Sequence, residues 1–363
     1  MKIAILGTRG VPPAYGGFET LAAELGTRLV QRGHDVTVYC RSQVVSATWN
    51  GIHRIVLPAI RSKYFETVSH TALSALDALR RDFDVVLLCN AANAFTILLL
   101  RAARLPVVIN VDGIERRRRK WNILGRAVYL AGEALSASFA DRVIADANVI
   151  AIYYREQFGI EPATIPYGSD FPDEPDTDVL QRLNVEPHNY LLYVSRFEPE
   201  NNPLEVVNAY EKVADTPPLV MVGDALYAKN LLKKLHSRKS AHVLFPGAIY
   251  GADYRTLQRH ALIYIQATEV GGTHPALIEA MGSGGCVLAL ETPENREVGG
   301  DSIGYFGFHP QETLSQAIRQ LLADADLRDE LRRRARKRAA DRYSWAVVTE
   351  AYEHLLEQVA ERQ

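Results

Sequence analysis

The chain has 363 residues, 47% of them hydrophobic and 23% charged, with a formal net charge of −2. That length is too great for one compact core, so two domains are expected, and the near-neutral balance argues against generic nucleic-acid binding. Cys40, Cys89 and Cys286 lie in or beside apolar runs, at spacings that suit neither a zinc site nor a disulfide framework, and read as reduced core thiols of a cytoplasmic protein.

The first apolar run, Lys2–Leu6, follows Met1 directly and is far shorter than the core of a signal peptide. No apolar stretch approaches the ~20 residues that span a bilayer. Further strands are expected over Asp35–Tyr39, Ile52–Leu57, Val85–Leu88, Pro106–Val111, Arg142–Ala145 and Thr164–Pro166. In the second half they are expected over Tyr190–Val194, Leu219–Val222, His242–Phe245, Leu262–Gln266, Cys286–Leu290 and Gly304–Phe308. Helix-length segments, such as Leu21–Gln31, separate these runs, which implies α/β architecture with parallel sheets flanked by helices. Acidic, proline-rich Phe171–Asp178 lacks periodicity and reads as the inter-domain linker. The chain closes with helices over Gln311–Ala323, Leu327–Ala340 and Ser344–Arg362. Arg332–Arg338 reads as a solvated basic face, and Trp345, Val348, Tyr352, Leu355 and Leu356 as an apolar stripe.

Several strand ends carry residues suited to anion and sugar chemistry. After the first strand comes Gly7-Thr-Arg-Gly-Val-Pro-Pro-Ala-Tyr-Gly16-Gly17-Phe-Glu19. It lacks the Gly-x-Gly-x-x-Gly pattern, and the second strand ends in Arg41 with no ribose-binding acid, so a nicotinamide site is disfavoured. Gly16 and Gly17 at a helix start suit a diphosphate instead. Asp112-Gly113 ends the Val107–Val111 run, where open sheets place ligands. Asp112 reads either as a residue orienting the acceptor or reacting sugar, or as a helix cap. The basic run Arg116–Lys120 beside Trp121 reads either as a solvated helix start or as a contact for anionic lipid or a lipid diphosphate.

In the second half, Arg196 at a strand end offers a forked donor set for phosphate. Gly223 and Pro246 close the next two strands on the same edge. Gly271-Gly272-Thr273 precedes a helix that contains Glu279. Backbone amides there suit a phosphate, and Glu279 suits sugar hydroxyls or is an ordinary helical acid. Asp176-x-Asp178 and Asp324-x-Asp326 are poorly placed for a metal–nucleotide site, and no His/Cys cluster suggests a transition metal.

With these segments together, nearly the whole chain resembles the retaining nucleotide-sugar glycosyltransferases of family 4. That resemblance implies the GT-B fold, two facing Rossmann-like domains with a cleft between them. It rests on Val-Ser-Arg196 with Pro199-Glu200, Val222-Gly-Asp224, Pro246-Gly247, Pro275-Ala-Leu-Ile-Glu279 and Ile165-Pro-Tyr-Gly168. The N-terminal motif, Asn110-Val-Asp-Gly-Ile-Glu115 and Gly271-Gly-Thr-His-Pro275 look like a branch that includes rhamnosyltransferases of bacterial capsule and exopolysaccharide assembly. The implied domains are an acceptor domain over 1–170, rejoined by the final helix 345–363, and a donor domain over 171–344. Glu279 would meet the nucleotide ribose. Two positions depart from the family: its first acid falls on Gly271, with Glu269 two residues early, and its phosphate-binding Lys falls on Asn201.

The expected activity is transfer, with retention, of a sugar such as the 6-deoxyhexose rhamnose from a nucleoside-diphosphate sugar to a glycan hydroxyl. The acceptor would be lipid-linked, at the inner face of the cytoplasmic membrane, with no metal or cofactor. Catalytic roles fall to Asp112, Arg196 and Glu279. Donor contacts fall to Gly16, Gly17, Arg196, Asn201, Gly223, Pro246, Gly271, Gly272, Thr273 and Glu279. A nucleotide-sugar epimerase of the same fold and a non-catalytic nucleotide or glycan binder are the alternatives.

Overall fold

The computed structural model describes residues 1–13, 16–41, 46–60, 65–119, 121–170, 176–225, 229–238, 242–307 and 313–361. Much of the expected linker, Phe171–Pro175, lies outside them, as do Lys120, Phe308, Gln311 and Glu312. The chain forms two compact units. One takes Met1–Arg117, Trp121–Gly168 and the chain from Trp345 on; the other takes Ser169–Ser344 with Arg118 and Arg119.

The first unit is a sheet of β1 (Lys2–Leu6), β2 (Asp35–Cys40), β3 (Thr48–Trp49), β4 (Ile52–Val56), β5 (Val85–Cys89), β6 (Val107–Asn110), β7 (Arg142–Ala145) and β8 (Ala163–Thr164). Its order is β3-β4-β2-β1-β5-β6-β7-β8, parallel except for the β3–β4 pair. Its helices are α1 (Gly17–Gln31), α2 (Glu66–Ala78), α3 (Ile97–Ala102), α4 (Ile123–Phe139) and α5 (Asn148–Phe158). Ile3, Ala4, Ile5 and Leu6 are wholly buried, as expected of a central strand covered on both faces.

The second unit holds β9 (Leu191–Val194), β10 (Leu219–Val222), β11 (Val243–Gly247), β12 (Ile263–Gln266), β13 (Val287–Leu290) and β14 (Gly304–Phe306). These pair in parallel in the order β11-β10-β9-β12-β13-β14. Around them pack α6 (Val179–Leu183), α7 (Pro203–Tyr210), α8 (Lys229–His236), α9 (Gly251–His260), α10 (Pro275–Gly282), α11 (Pro293–Gly299), α12 (Leu314–Ala323) and α13 (Ala325–Tyr343). Each unit is thus a Rossmann-like α/β domain, and the expected strands are found within a residue or two at either end. Thr48–Trp49 has no counterpart among the expected strands.

The last helix, α14 (Trp345–Ala360), belongs to the first unit and buries Trp345, Val348, Tyr352, Leu355 and Leu356 there. The Glu353 carboxylate also receives Arg32 Nη1 at 2.5 Å and lies 2.7 Å from His34 Nε2. The basic stretch of α13 is not simply a solvated face. Arg332 donates to Leu262 O at 3.2 Å, Arg336 to Ser283 O at 3.2 Å, and Arg338 to Val298 O at 2.6 Å. The guanidinium groups satisfy carbonyls at the ends of neighbouring elements. All three cysteines are buried and free. No helix among the described residues is long and apolar enough to cross a membrane.

Candidate active site

From β9 the chain of the second unit moves outward to β10 and β11, then returns to β12 on the other side of β9. The topological switch point lies at the C-terminal ends of β9 and β12, where open α/β sheets bind ligands. Two loops border it, Ser195–Asn202 and Ala267–His274. They are locked to each other. Glu269 N–H donates to Glu200 O at 2.9 Å, and Asn202 Nδ2 donates to Ala267 O at 2.9 Å and to Glu269 Oε1 at 3.1 Å.

Arg196 lies partly buried two residues beyond β9. Its carbonyl accepts Asn201 Nδ2 at 2.6 Å, while the Asn201 carbonyl accepts the Tyr193 hydroxyl at 2.7 Å. Asn201 is only 4% exposed. Its amide nitrogen therefore holds the turn that carries Arg196. Gly223 has φ +152, and a Cβ there would lie 1.9 Å from Ser195 O. Only glycine permits the close approach of the β9 and β10 ends. Pro246 sits in edge strand β11, where its missing N–H costs no ladder bond.

Gly271, Gly272 and Thr273 are buried in the second loop. A Cβ on Gly271 would lie 2.4 Å from His274 Nε2, so any side chain at this position would require the His274 ring to shift. Two residues earlier, Glu269 Oε2 accepts Arg119 Nη2 at 2.7 Å. His274 Nδ1 lies 3.1 Å from Asn295 Oδ1. Burial, reinforced by the Arg118 charge, pushes the His274 pKa down to about 4, so the ring is neutral at neutral pH. Glu279, on α10, accepts the Tyr254 hydroxyl at 2.6 Å, and Gln258 Nε2 donates to the same hydroxyl at 2.7 Å. Burial first, and then the Glu279 charge, raise the Tyr254 pKa, which keeps that hydroxyl a donor.

In the first unit the switch point lies at the ends of β1 and β5. Gly16 caps α1 and Gly17 begins it. Glu19, 6% exposed, bends back so that its Oε1 accepts the Arg9 N–H at 2.8 Å. Burial raises its pKa. A diphosphate at Gly16–Gly17 would therefore share the positive helix start with the chain's own carboxylate. Arg9 and Arg41 both face Glu66, at 3.2 and 3.8 Å.

Asp112 lies two residues beyond β6 in the left-handed region, φ +58. Such a conformation costs of order 1–3 kcal/mol unless its surroundings fix it, though Asp tolerates it better than most residues. Here its N–H donates to Asn110 Oδ1 at 2.8 Å, and Asn110 Nδ2 donates to the Tyr352 hydroxyl at 2.6 Å. Asn110 and Tyr352 are each 1% exposed. A residue of the last helix thus braces the strand end that presents Asp112.

Residues 15–171 match the family model Glycosyltransferase Family 4, and residues 177–338 match Glycosyl transferases group 1. The chain is a glycosyltransferase of the family 4, GT-B type. Solved GT-B structures share its fold. Sucrose-phosphate synthase from Thermosynechococcus elongatus aligns over 100% of both chains at TM-score 0.85 and 19% identity. Anabaena HepE in complex with UDP-glucose aligns over 99% of this chain and 100% of its own, at TM-score 0.81 and 18% identity. The UDP-forming α,α-trehalose-phosphate synthase from Burkholderia vietnamiensis aligns over 99% and 100%, at TM-score 0.75 and 11% identity. No curated protein sequence matches the chain significantly.

In this glycosyltransferase three of the four described arginines of the basic run have acidic partners, while Arg117 is exposed with its guanidinium 5.7 Å from the Tyr153 ring centroid. Arg116 donates to Glu133 at 3.1 Å and to the Tyr153 hydroxyl at 2.8 Å. Arg118, 6% exposed, lies 3.7 Å from Glu200 and 3.9 Å from Glu198, and Arg119 pairs with Glu269. Buried carboxylates require cationic partners, and the run supplies them. Lys120 lies outside the described residues. Sequence reasoning missed Tyr254, Gln258 and Asn295 as supports of Glu279 and His274. Their signal is the polar side chain on an otherwise packed helix, which spacing alone does not distinguish from a solvent-facing residue.

Proposed function

We propose that this glycosyltransferase moves a sugar, with retention, from a nucleoside-diphosphate sugar to a hydroxyl of a lipid-linked glycan in cell-surface polysaccharide assembly. A 6-deoxyhexose such as rhamnose is the proposed sugar. The observation that carries the donor reading is the pair of interlocked loops at the second switch point. Arg196 lies on one of these loops, the amides of Gly271–Thr273 lie on the other, and Glu279 follows on α10; on this proposal they supply a guanidinium, backbone donors and a carboxylate for one donor. As the bond from the sugar C1 to the diphosphate breaks, negative charge grows on the leaving group. Arg196 and the amides are fixed donors for that charge, the usual largest contribution to such catalysis. Glu279, steadied by Tyr254, would take the ribose hydroxyls, and Asp112 would orient the acceptor or the reacting sugar. HepE, whose structure holds UDP-glucose, and the UDP-forming trehalose-phosphate synthase favour a nucleoside-diphosphate donor.

Turnover without a divalent metal is part of the same proposal. The one His/Asp/Glu group close enough to hold an ion among the described residues is His34, Glu353 and Glu357. His34 precedes β2, at the sheet edge opposite the ligand edge. Calorimetric titration of nucleoside diphosphates and their sugars, followed by turnover of the tightest donor with and without EDTA, tests the reading. Binding of a nucleoside diphosphate and EDTA-resistant transfer are expected. No binding of any nucleotide, or release of an epimerised sugar in place of transfer, refutes it.

A further inference from the structure

Helix α4 is built inside out. Its buried side holds Tyr129, Gly132, Glu133 and Ser136. Glu133 there accepts Arg116 and the Tyr153 hydroxyl, at 3.1 and 2.6 Å. The solvent side carries Ile123, Leu124, Ala127, Val128, Leu130 and Ala131, with Arg126 as the one charge on the helix outside the buried face. Ile123 is 87% exposed and Leu124 72%. A surface helix of a soluble domain places its charged side outward, so this pattern is the reverse of the ordinary one.

The apolar surface continues onto the neighbouring segment. Gly132 brings α4 against Ala91, where a Cβ would lie 2.2 Å from Ala91 O, and Arg101 Nη1 donates to Phe139 O at 2.8 Å. Along that contact Phe95 and Leu98 are also exposed. Scattered exposed leucines are ordinary, but a contiguous apolar face marks something that covers it.

Charge identifies what covers it. Among residues 91–140 the acids Asp112, Glu115 and Glu133 are not exposed, whereas Arg104, Arg117 and Arg126 are, and Arg101 is exposed with Asp141 3.6 Å away. A second copy of the chain in a two-fold pair would set like charges against each other. An anionic surface with an apolar interior satisfies both properties. We propose that the α4 face, with Phe95 and Leu98 beside it, docks this enzyme on an anionic lipid bilayer, lying in the interface without crossing it. This deepens the lipid-linked acceptor reading and supplies a membrane contact in place of Arg116, Arg118 and Arg119, which pair with acids of the chain.

The test is flotation with vesicles of equal parts phosphatidylcholine and phosphatidylglycerol, and with vesicles of phosphatidylcholine alone, without donor or acceptor. Failure of the enzymatic reading therefore leaves this result intact, and the converse holds. Wild type is expected to float with the anionic vesicles, less so at ~1 M salt, where the screening length is ~3 Å. Ile123→Ser/Leu124→Ser should weaken partitioning by at least about tenfold, since two large apolar side chains no longer insert. Both positions are exposed, so melting temperature and turnover on a soluble acceptor should match wild type. Arg126→Gln should weaken binding to the anionic vesicles alone. Absence of wild-type flotation, or equal flotation of the serine variant, overturns the proposal. So does sedimentation showing a wild-type dimer that the serine variant converts to monomer, because the face would then cover a second copy.

Discussion

Replacing Tyr352 by Phe removes a single oxygen from α14, and the consequence should be felt at Asp112. The ring stays, so the Tyr352 site keeps its packing and no cavity forms. What changes is Asn110, whose Nδ2 loses its 2.6 Å bond in a site 1% exposed. A buried donor left without a partner costs about 1–3 kcal/mol, which sets the expected loss of stability of the first domain. Asn110 Oδ1 is also the acceptor for the Asp112 N–H, so freeing Asn110 releases the left-handed φ of +58 at Asp112. A displacement of about 1 Å in a reacting group costs on the order of 100-fold in rate. The expected result is a lower urea midpoint and a kcat reduced between about tenfold and 100-fold, with nucleoside-diphosphate affinity unchanged. The proposed main nucleotide contacts, Arg196 and Glu279, lie in the second domain, whose residues the substitution does not change. Steady-state kinetics and calorimetry on the same preparation separate these quantities. A stability loss with unaltered kcat would show that Tyr352 only fastens the helix, and the positioning argument would fail.

The remaining predictions concern the donor loops and one buried ring. Arg196→Ala should weaken nucleoside-diphosphate binding by about 1.5–3 kcal/mol, roughly 10- to 150-fold, and calorimetry showing no change would remove Arg196 from the donor site. Glu279→Gln should weaken the nucleoside diphosphate as much as its sugar; selective loss of the sugar-bearing form would make Glu279 a hexose contact. His70 is wholly buried, Nε2 lies 3.1 Å from Cys40 O, and burial with the Arg41 charge pushes its pKa down to about 4 from 6.5. The unfolded state therefore binds the extra proton first, so stability is fully present above pH ~6.5 and falls toward pH ~4, by up to about 3 kcal/mol. Urea midpoints at pH 7 and 5 should converge in His70→Asn, and an undiminished pH slope in that variant would place the titration elsewhere.

Parallel strands were readable because helices cover both faces of their sheets, leaving short uninterrupted apolar runs such as Val85–Cys89 and Leu219–Val222. The two-residue strand Thr48–Trp49 was not, since two residues carry no periodicity. The α14 stripe was legible as an apolar face, but the hydroxyl of Tyr352 within it meets Asn110, 242 positions away in sequence. Nothing local marks that pairing. Periodicity also shows that a helix has two faces without showing which one turns inward, so α4, with Glu133 buried and Ile123 exposed, was not legible from its pattern. At the two interlocked loops of the second domain residue types were legible and their hydrogen bonds were not. Asn201 is present where a cation was expected, yet it serves the turn that carries Arg196.

The basic run shows why consecutive charges are a poor guide to a common surface. Successive residues of a turn point in different directions, and Arg116, Arg118 and Arg119 each meet different acids. Arg116 goes to Glu133 in the first domain, whereas Arg118 faces Glu198 and Glu200 in the second. Glu200 is wholly buried, so its carboxylate depends on that cation. Removing one member of a buried pair costs about 3–5 kcal/mol because the other charge stays behind without compensation. Replacing the whole run with neutral residues would therefore unsettle the β9 loop that carries Arg196, and any loss of vesicle binding or activity would follow from that damage. Ile123 and Leu124 are only a few positions later but have no such internal partners to strand. The proposed membrane contact at α4 can therefore be tested apart from the enzyme's chemistry, whereas neutralising the arginines would disturb the β9 loop as well.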